Sequence, residues 1–407
     1  MEEQAILRPK NAAELADLVA WAMAEEEPLE VLGAGTKRGL GRPVEASHAV
    51  SVAGLAGIDL YEPEELVMRA GAGTPLSVIE AALAEHGQEL AFEPADYGAL
   101  LGGAPGGQTI GGVFACNLSG PRRFKSGAAR DHLLGLHCVT GLGQVIKTGG
   151  RVVKNVTGYD LCKLLTGSYG TLAVMTEVTF KVLPRAESSL TVLATGPDEV
   201  TLLALLRAAT GTPCEIAGAA YLPPLAAGRS AVGTVGRAGR GIAAVRLEGV
   251  APSVRYRSGE LQRLLARPGI EFQTIGHEES LTLWREIRNV TLLTRERPLW
   301  RLSVAPTAGA ELAAWAAELT NERLFDWAGG LIWLAVKESW ARESGTIREA
   351  LAGRGGHATL VRGPDWLRRE IEPFQPLPAS LRALTERVKH SFDPKGILNP
   401  GRMYPGM

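Results

Sequence analysis

Apolar residues recur at helical spacing in "NAAELADLVAWAMAEE", behind an Asn11 suited to cap the helix, and "PLEVLGAG" then reads as a short strand entering a glycine-rich turn. Further on, "RPVEASHAVSV" and "GIDLYEPEELVMRAGAG" predict short strands, and residues 75–86 a second amphipathic helix. "DHLLGLHCVTGLGQVIKTG" has the pattern of a hairpin around Gly-Leu-Gly, "NVTGYDLCKLLTG" that of a helix, and "GTLAVMTEVTFKVLP" that of a long strand closed by Pro184. From about 189 to 374 the texture alternates between strands ("LTVLAT", "GIAAVRLEG", "LWRLSVAP", "GLIWLAV", "HATLVRG") and helices ("EVTLLALLRAAT", "SLTLWREIRNV", "ELAAWAAELT"). That pattern predicts a second domain, a sheet with helices on one face. The last segment, "ASLRALTERVKHSFDPKGILNPGRMYPGM", reads as an amphipathic helix followed by Asp-Pro and Asn-Pro turns.

A chain of 407 residues is too long for one ordinary core, so two or three packed units are expected. Acidic and basic residues nearly cancel, 44 against 43, which leaves no global field to draw the chain to nucleic acid or an anionic membrane. The start, "MEEQAILRPK", has no basic segment followed by an apolar one, and runs such as "LIWLAV" are too short to cross a bilayer. A cytoplasmic protein is expected, with at most peripheral membrane association through partners. Cys116, Cys138, Cys162 and Cys214 form no C-x-x-C pair, which disfavours a disulfide framework, a zinc site or an iron–sulfur cluster held by this chain.

Candidate chemistry begins at "GAGTKRGLG", residues 33–41. Consecutive backbone N–H groups in a tight glycine turn can cradle a phosphate, but an isolated glycine cluster is as readily a flexible turn. A Walker loop requires Gly-Lys-Ser/Thr opening a helix, whereas Lys37 here follows Thr36 and precedes Arg38. A Rossmann turn needs G-x-G-x-x-G, and Gly33, Gly35 and Gly39 are spaced one residue too long, with no helical stripe after them. Any anion is therefore expected to be held by loop amides, without a helix dipole. Residues 98–127, "GALLGGAPGGQTIGGVFACNLSGPRRFKSG", form a second glycine-dense stretch, and a loop this long inside a domain is usually functional. Two such places suit a large polar ligand such as a dinucleotide.

"GAGTKRGLG", "PADYG", "TIGGVFACNLSG", "GAARDHLLGL", "GYDLCKLLTGSYGTLAVMTEVTFKVLP" and "FDPKGILNPGRMY" together resemble the flavoproteins of the vanillyl-alcohol oxidase and p-cresol methylhydroxylase type. Within that family, "SGPRRFKSGAARDHLLG", "GGRVVKNVTGYDL", "LWRLSVAP" and "GGHATLVRG" look most like the FAD-binding E subunits of bacterial glycolate oxidases. The resemblance implies an α+β fold with a two-lobed FAD-binding domain over 1–188, its lobes meeting near residue 55. An antiparallel α/β cap would span 189–374, and 375–407 would return to the FAD domain. It implies that Gly35, Thr36, Lys37, Arg38 and Gly39 surround the FAD pyrophosphate. Pro94, Asp96, Thr109, Gly111, Gly112, Asn117, Ser119 and Gly120 would line the flavin and ribityl chain, with Ser126, Gly127 and Arg130 in the next loop. Gly170, Leu172 and Val174 would pass the adenine and pyrophosphate edge, and Asn399 would approach the flavin. Residues 33–41 lack the His, and Cys116 lacks the neighbours, that mark covalent attachment in relatives, so a non-covalent FAD is expected.

Relatives that oxidise 2-hydroxy acids usually place a paired-His metal motif in the cap, and none of the seven His forms that pair, so no metal is expected. The substitutes are His357, as a base or a structural His, and the arginines 285, 288, 301 and 362. A bidentate Arg suits the carboxylate of a small acid such as glycolate, and Arg288 and Arg301, beside Trp284 and Trp300, are the better placed. Arg288, Arg301 and His357 are thus the catalytic candidates. The implied partners are a sister FAD subunit of the D type and an iron–sulfur subunit that takes electrons onward. A self-sufficient 2-hydroxy-acid dehydrogenase and a mainly structural subunit remain open.

Overall fold

Two units make up the computed structural model, which describes residues 4–151, 158–341 and 344–407. Met1–Ser119, Gly127–Arg185 and Glu372–Met407 group as the first unit, and Gly120–Ser126 with Ala186–Ile371 as the second.

In the first unit, β1 (Ala5–Leu7), α1 (Ala12–Ala24), β2 (Leu29–Leu32) and β3 (His48–Ser51) build a parallel three-stranded sheet, order β1-β3-β2, with a helix. Asn11 is extended and its side chain accepts from the Glu14 amide at 2.9 Å, the cap that starts α1. The helix buries Leu15, Val19 and Ala22 in a core with Leu29, Val50, Val139, Val174, Ile397 and Leu398. Each such Leu or Val stabilises the core by about 1.5–3 kcal/mol.

β4 (Ile58–Glu62), β5 (Val67–Gly71), β6 (Leu133–Thr140), β7 (Val145–Gly149) and β8 (Ala173–Lys181) form an antiparallel sheet in the order β4-β5-β8-β6-β7. The expected hairpin is β6–β7, paired Val139↔Val145, with Gly143 at φ +71° in the turn. Between β5 and β6 lie α2 (Leu76–Glu85) and, inside the glycine-dense stretch, a short helix α3 (Ile110–Ala115). The helix expected from "NVTGYDLCKLLTG" covers Leu161–Leu165 behind an Asp160 cap, while residues 155–157 lie outside the described residues.

The second unit runs β9 (Ser188–Thr195), α4 (Glu199–Thr210), β10 (Ile216–Leu222), β11 (Ile242–Gly249), α5 (Ala251–Leu265), β12 (Glu271–Ile275), α6 (His277–Arg288), β13 (Leu299–Ser303), α7 (Pro306–Leu319), β14 (Arg323–Asp326), β15 (Leu331–Ala335) and β16 (His357–Arg362). The strands form one antiparallel sheet in the order β12-β9-β11-β10-β14-β15-β13-β16. Alternate residues, among them Val192, Val245, Trp300, Ile332 and Leu360, share a core with Leu202 and Leu206 of α4, Leu261 of α5 and Leu312 of α7. Helices were expected on one face only, but α6 covers the other, where Trp284 Nε1 donates to Thr191 Oγ1 at 2.8 Å and lies under the Arg246 guanidinium. Its amphipathic face buries Ser280, Leu283, Trp284 and Ile287, which requires a partner surface of its own.

The chain then returns to the first unit through α8 (Ala379–Phe392). Asp393 accepts from the Ile397 and Leu398 amides, and Lys389 Nζ donates to Asp393, Thr171 O and Leu398 O at 2.6, 2.7 and 3.0 Å. The tail is thereby laid beside β2, where Leu29 N donates to Ile397 O and Asn399 N to Leu29 O.

Candidate functional site

A cleft in the first unit opens where β2 ends, with about 690 Å³ free of protein atoms when its solvent-open mouth is included. Its first wall is the chain from Val31 to Arg38, bent by Gly35 at φ +76°, a conformation that glycine adopts without strain. The second wall is Thr109 to Cys116. Thr109 caps α3 by accepting from the Gly112 amide at 3.3 Å, and Gly111 lies so close to Ala72 that a Cβ would come within 2.7 Å of its carbonyl oxygen. The third wall is Ser168–Gly170 with Ala173–Met175, turned by Tyr169 and Gly170 at φ +55° and +70°.

Lys37 is a buried charge of this cleft, 8% exposed, with Nζ donating to Gln108 Oε1 at 3.2 Å and Thr36 Oγ1 at 3.4 Å. Both partners are neutral. Burial pulls its ammonium below the ordinary lysine value, against the smaller pull of Cys116 and Asp96, and a bound anion would reverse that shift. Arg38 lines the same wall, but its guanidinium is engaged in a two-pronged ion pair with Glu30 and a bond to Gln4. Cys116 faces the cleft as a thiol that burial pushes above its ordinary value despite Lys37 and Arg402, which makes it a poor nucleophile.

Of the residues expected around the cofactor, Gly35, Thr36, Lys37, Arg38, Thr109, Gly111, Gly112, Gly170 and Val174 line the cleft. Gly39 turns toward Leu101 instead. Asp96 accepts from the Gly98 and Gly106 amides and so shapes the loop after Pro94. Asn117, at φ +50°, accepts from the Arg130 amide and Ser119 from the Ala129 amide, while Gly127 at φ +87° packs on Asp131. These three fix the course of the loop, and the exposed Arg130 side chain lies near Asp131. Leu172 is buried next to the third wall.

Asn399 does not line the cleft; it is 1% exposed and bridges two walls, accepting from Val31 N and donating to Tyr169 O, each at 2.8 Å. Gly120 and Ser126 fall in the segment that groups with the second unit. The cause is local: Arg122 makes a two-pronged pair with Glu248, and Gly120 O accepts from Trp327 Nε1.

Arg402 escaped the sequence reading. It lines the cleft at 4% exposure, and its Nη2 donates to Lys37 O at 2.7 Å, tying the tail to the first loop. A basic residue directly after the Asn-Pro-Gly turn was the only sequence signal for it.

Among the catalytic candidates, Arg301 and His357 lie on the adjacent strands β13 and β16 of the second unit. Arg288 ends α6, where its Nε donates to Asn289 Oδ1 at 3.2 Å. Arg362 donates to the carbonyls of Thr294 and Arg297, a structural use.

Residues 3–149 match the family model of an FAD binding domain. The chain is 36% identical over 397 residues to the glycolate oxidase subunit GlcE of Escherichia coli, covering 96% of each protein. It is 40% identical over 115 residues to the glycolate oxidase subunit GlcD of Bacillus subtilis, 28% of this chain and 23% of that protein. A crystal structure of p-cresol methylhydroxylase with substrate bound superposes with a TM-score of 0.70 at 15% identity, over 98% of this chain and 88% of that one. The cleft fits the polar part of an FAD: a buried ammonium with neutral partners suits the diphosphate, and Gly35, where a Cβ would meet only Arg38 Cδ at 3.8 Å, leaves its backbone open to close approach.

Proposed function

The chain belongs to the family of the glycolate oxidase subunit GlcE, an FAD-binding family with the fold of p-cresol methylhydroxylase, and from that premise we propose that it is the FAD-binding subunit of a glycolate oxidase or dehydrogenase complex. The observation that supports this most is the cleft around Lys37, in a chain related to GlcE over nearly its whole length. FAD supplies the capacity to accept two electrons from a 2-hydroxy acid. The chain's own part is to hold it: Lys37 and the backbone of Gly35–Arg38 at the diphosphate, Thr109–Gly112 and Gly170–Val174 as walls, and Asn399 and Arg402 to keep the walls in register. The protonated Cys116 favours non-covalent attachment.

A sister FAD subunit of the D type would share or perform the oxidation of glycolate to glyoxylate, and an iron–sulfur subunit would take the electrons onward. Among the described residues no group of three or more His, Cys, Asp and Glu is arranged to hold a metal, and no helix is long and apolar enough to cross a membrane. A cytoplasmic place, at the inner face of a membrane through partners, follows from this reading. The test is the spectrum of the purified chain with and without glycolate. A flavin spectrum is expected, with slow or absent bleaching until the sister subunit is added. A chain that takes up no FAD defeats the proposal, and rapid bleaching by the chain alone favours a self-sufficient 2-hydroxy-acid dehydrogenase.

A further inference from the structure

On the face of the eight-stranded sheet opposite α4, α5 and α7, the pairing of β13 with β16 sets Arg301 against Thr359 and Ser303 against His357. Arg301 and His357 therefore project from the same face as diagonal neighbours. The turn after β14 adds Trp327, whose ring centre lies 5.2 Å from the guanidinium carbon of Arg301 and 4.7 Å from that of Arg123.

The indole is held firmly. It is buried, Nε1 donates to Gly120 O at 3.1 Å, and the Trp327 amide donates to Asp326 Oδ1 at 2.7 Å. Trp327, Ala328 and Gly329 are all left-handed, at φ +52°, +55° and +95°. Two successive non-glycine residues in that region cost about 1–2 kcal/mol each, a strain that persists only where the surroundings impose it. Here α7 does so, since a Cβ on Gly309 would stand 2.4 Å from Gly329 O.

We propose that Arg123, Arg301 and His357 form a site for the carboxylate and hydroxyl of a small 2-hydroxy acid, with Trp327 as the platform that orients the two guanidinium groups. The choice of a 2-hydroxy acid rests on the function proposed above; the anion site rests on this geometry. Two guanidinium groups offer forked donors to one carboxylate. His357 is exposed enough to meet a ligand. Loss of solvent, then the charges of Arg301 and Arg123, keep its imidazole below the ordinary histidine value, so it is neutral at pH 7 and able to accept a hydrogen bond from the 2-hydroxyl. Asp326, the acid beside the ring, is oriented by the Trp327 amide.

The full chain, carrying its FAD, is titrated with glycolate while the His357 imidazole resonance, identified with His357→Gln, is followed across pH. Glycolate is expected to saturate and to raise the His357 midpoint, because its carboxylate offsets the two arginine charges. Arg123→Gln and Arg301→Gln should each weaken glycolate about tenfold or more, with flavin absorbance and melting temperature retained. If either fails to fold, the Lys variant replaces it, keeping the charge without the fork, and should weaken glycolate several-fold. Acetate, without the hydroxyl, should bind less tightly than glycolate. A His357 midpoint unmoved by about 50 mM glycolate overturns the site, as does unchanged affinity in both arginine variants. A wild-type chain that binds glycolate but takes up no FAD refutes the cofactor reading and leaves this one standing.

Discussion

Replacing Lys37 by Met should move two measurements in opposite directions. In the free protein the ammonium is 8% exposed with a neutral amide and a hydroxyl as its hydrogen-bond partners, so burial disfavours its charge. The folded state then binds fewer protons than the unfolded chain between the depressed value and the ordinary one. Stability of the free protein should therefore rise with pH through that window, the cost being fully present below it. Met has similar length and no charge, so the variant should lose this pH dependence and melt about 2 °C higher without FAD. With FAD the sign reverses: losing a charge-assisted hydrogen bond of about 1.5–3 kcal/mol should weaken binding roughly 10- to 150-fold. Differential scanning fluorimetry of the apoprotein and quenching of FAD fluorescence measure the two effects separately. A variant that melts lower and binds FAD as tightly as wild type would show Lys37 to be a packing residue, and the cleft would need another anion ligand.

Gly35→Val places a β-branched residue at φ +76° in a loop where the nearest atom to its Cβ beyond the adjoining residues, Arg38 Cδ, is 3.8 Å away, so the cleft should lose FAD while the second unit keeps its thermal transition. Asn399→Ala leaves Val31 N and Tyr169 O without their partner and should cost about 2–4 kcal/mol in denaturant titrations, with FAD affinity falling in parallel. Lys389→Met strands the buried Asp393 carboxylate and should cost about 3–5 kcal/mol, whereas adding Asp393→Asn should recover part of it; no recovery would mean the pair is not coupled.

The parts of the fold legible in the sequence were those governed by neighbours along the chain. Asn11 and the stripe behind it announced α1, and Gly-Leu-Gly announced the β6–β7 turn, because capping and turn chemistry act over a few residues. The first two walls of the cleft were legible for the same reason: glycine marks where backbone must bend or approach. Tyr169 shows where this fails, since it adopts φ +55° without being glycine and nothing local distinguishes it. Arg123 was passed over within "GPRRFKSG", because its value comes from Trp327, which is more than 200 residues away in the chain.

The long-range contacts also explain why spacing alone misjudged individual roles. Asn399 and Arg402 sit in one short turn, yet Arg402 lines the cleft and Asn399 braces it from behind. What separates them is a pair of donors and acceptors on Val31 and Tyr169, groups that a strand end and a left-handed residue leave without ladder partners. A side-chain amide satisfies one of each; a guanidinium, which only donates, instead takes the carbonyl of Lys37. The same logic separates the arginines of the second unit: Arg362 and Arg122 are matched to carbonyls and a carboxylate, while Arg123 and Arg301 lie against an indole face. A cation–π contact with an indole does not by itself consume the N–H groups of a guanidinium, which suits the role proposed for these two arginines.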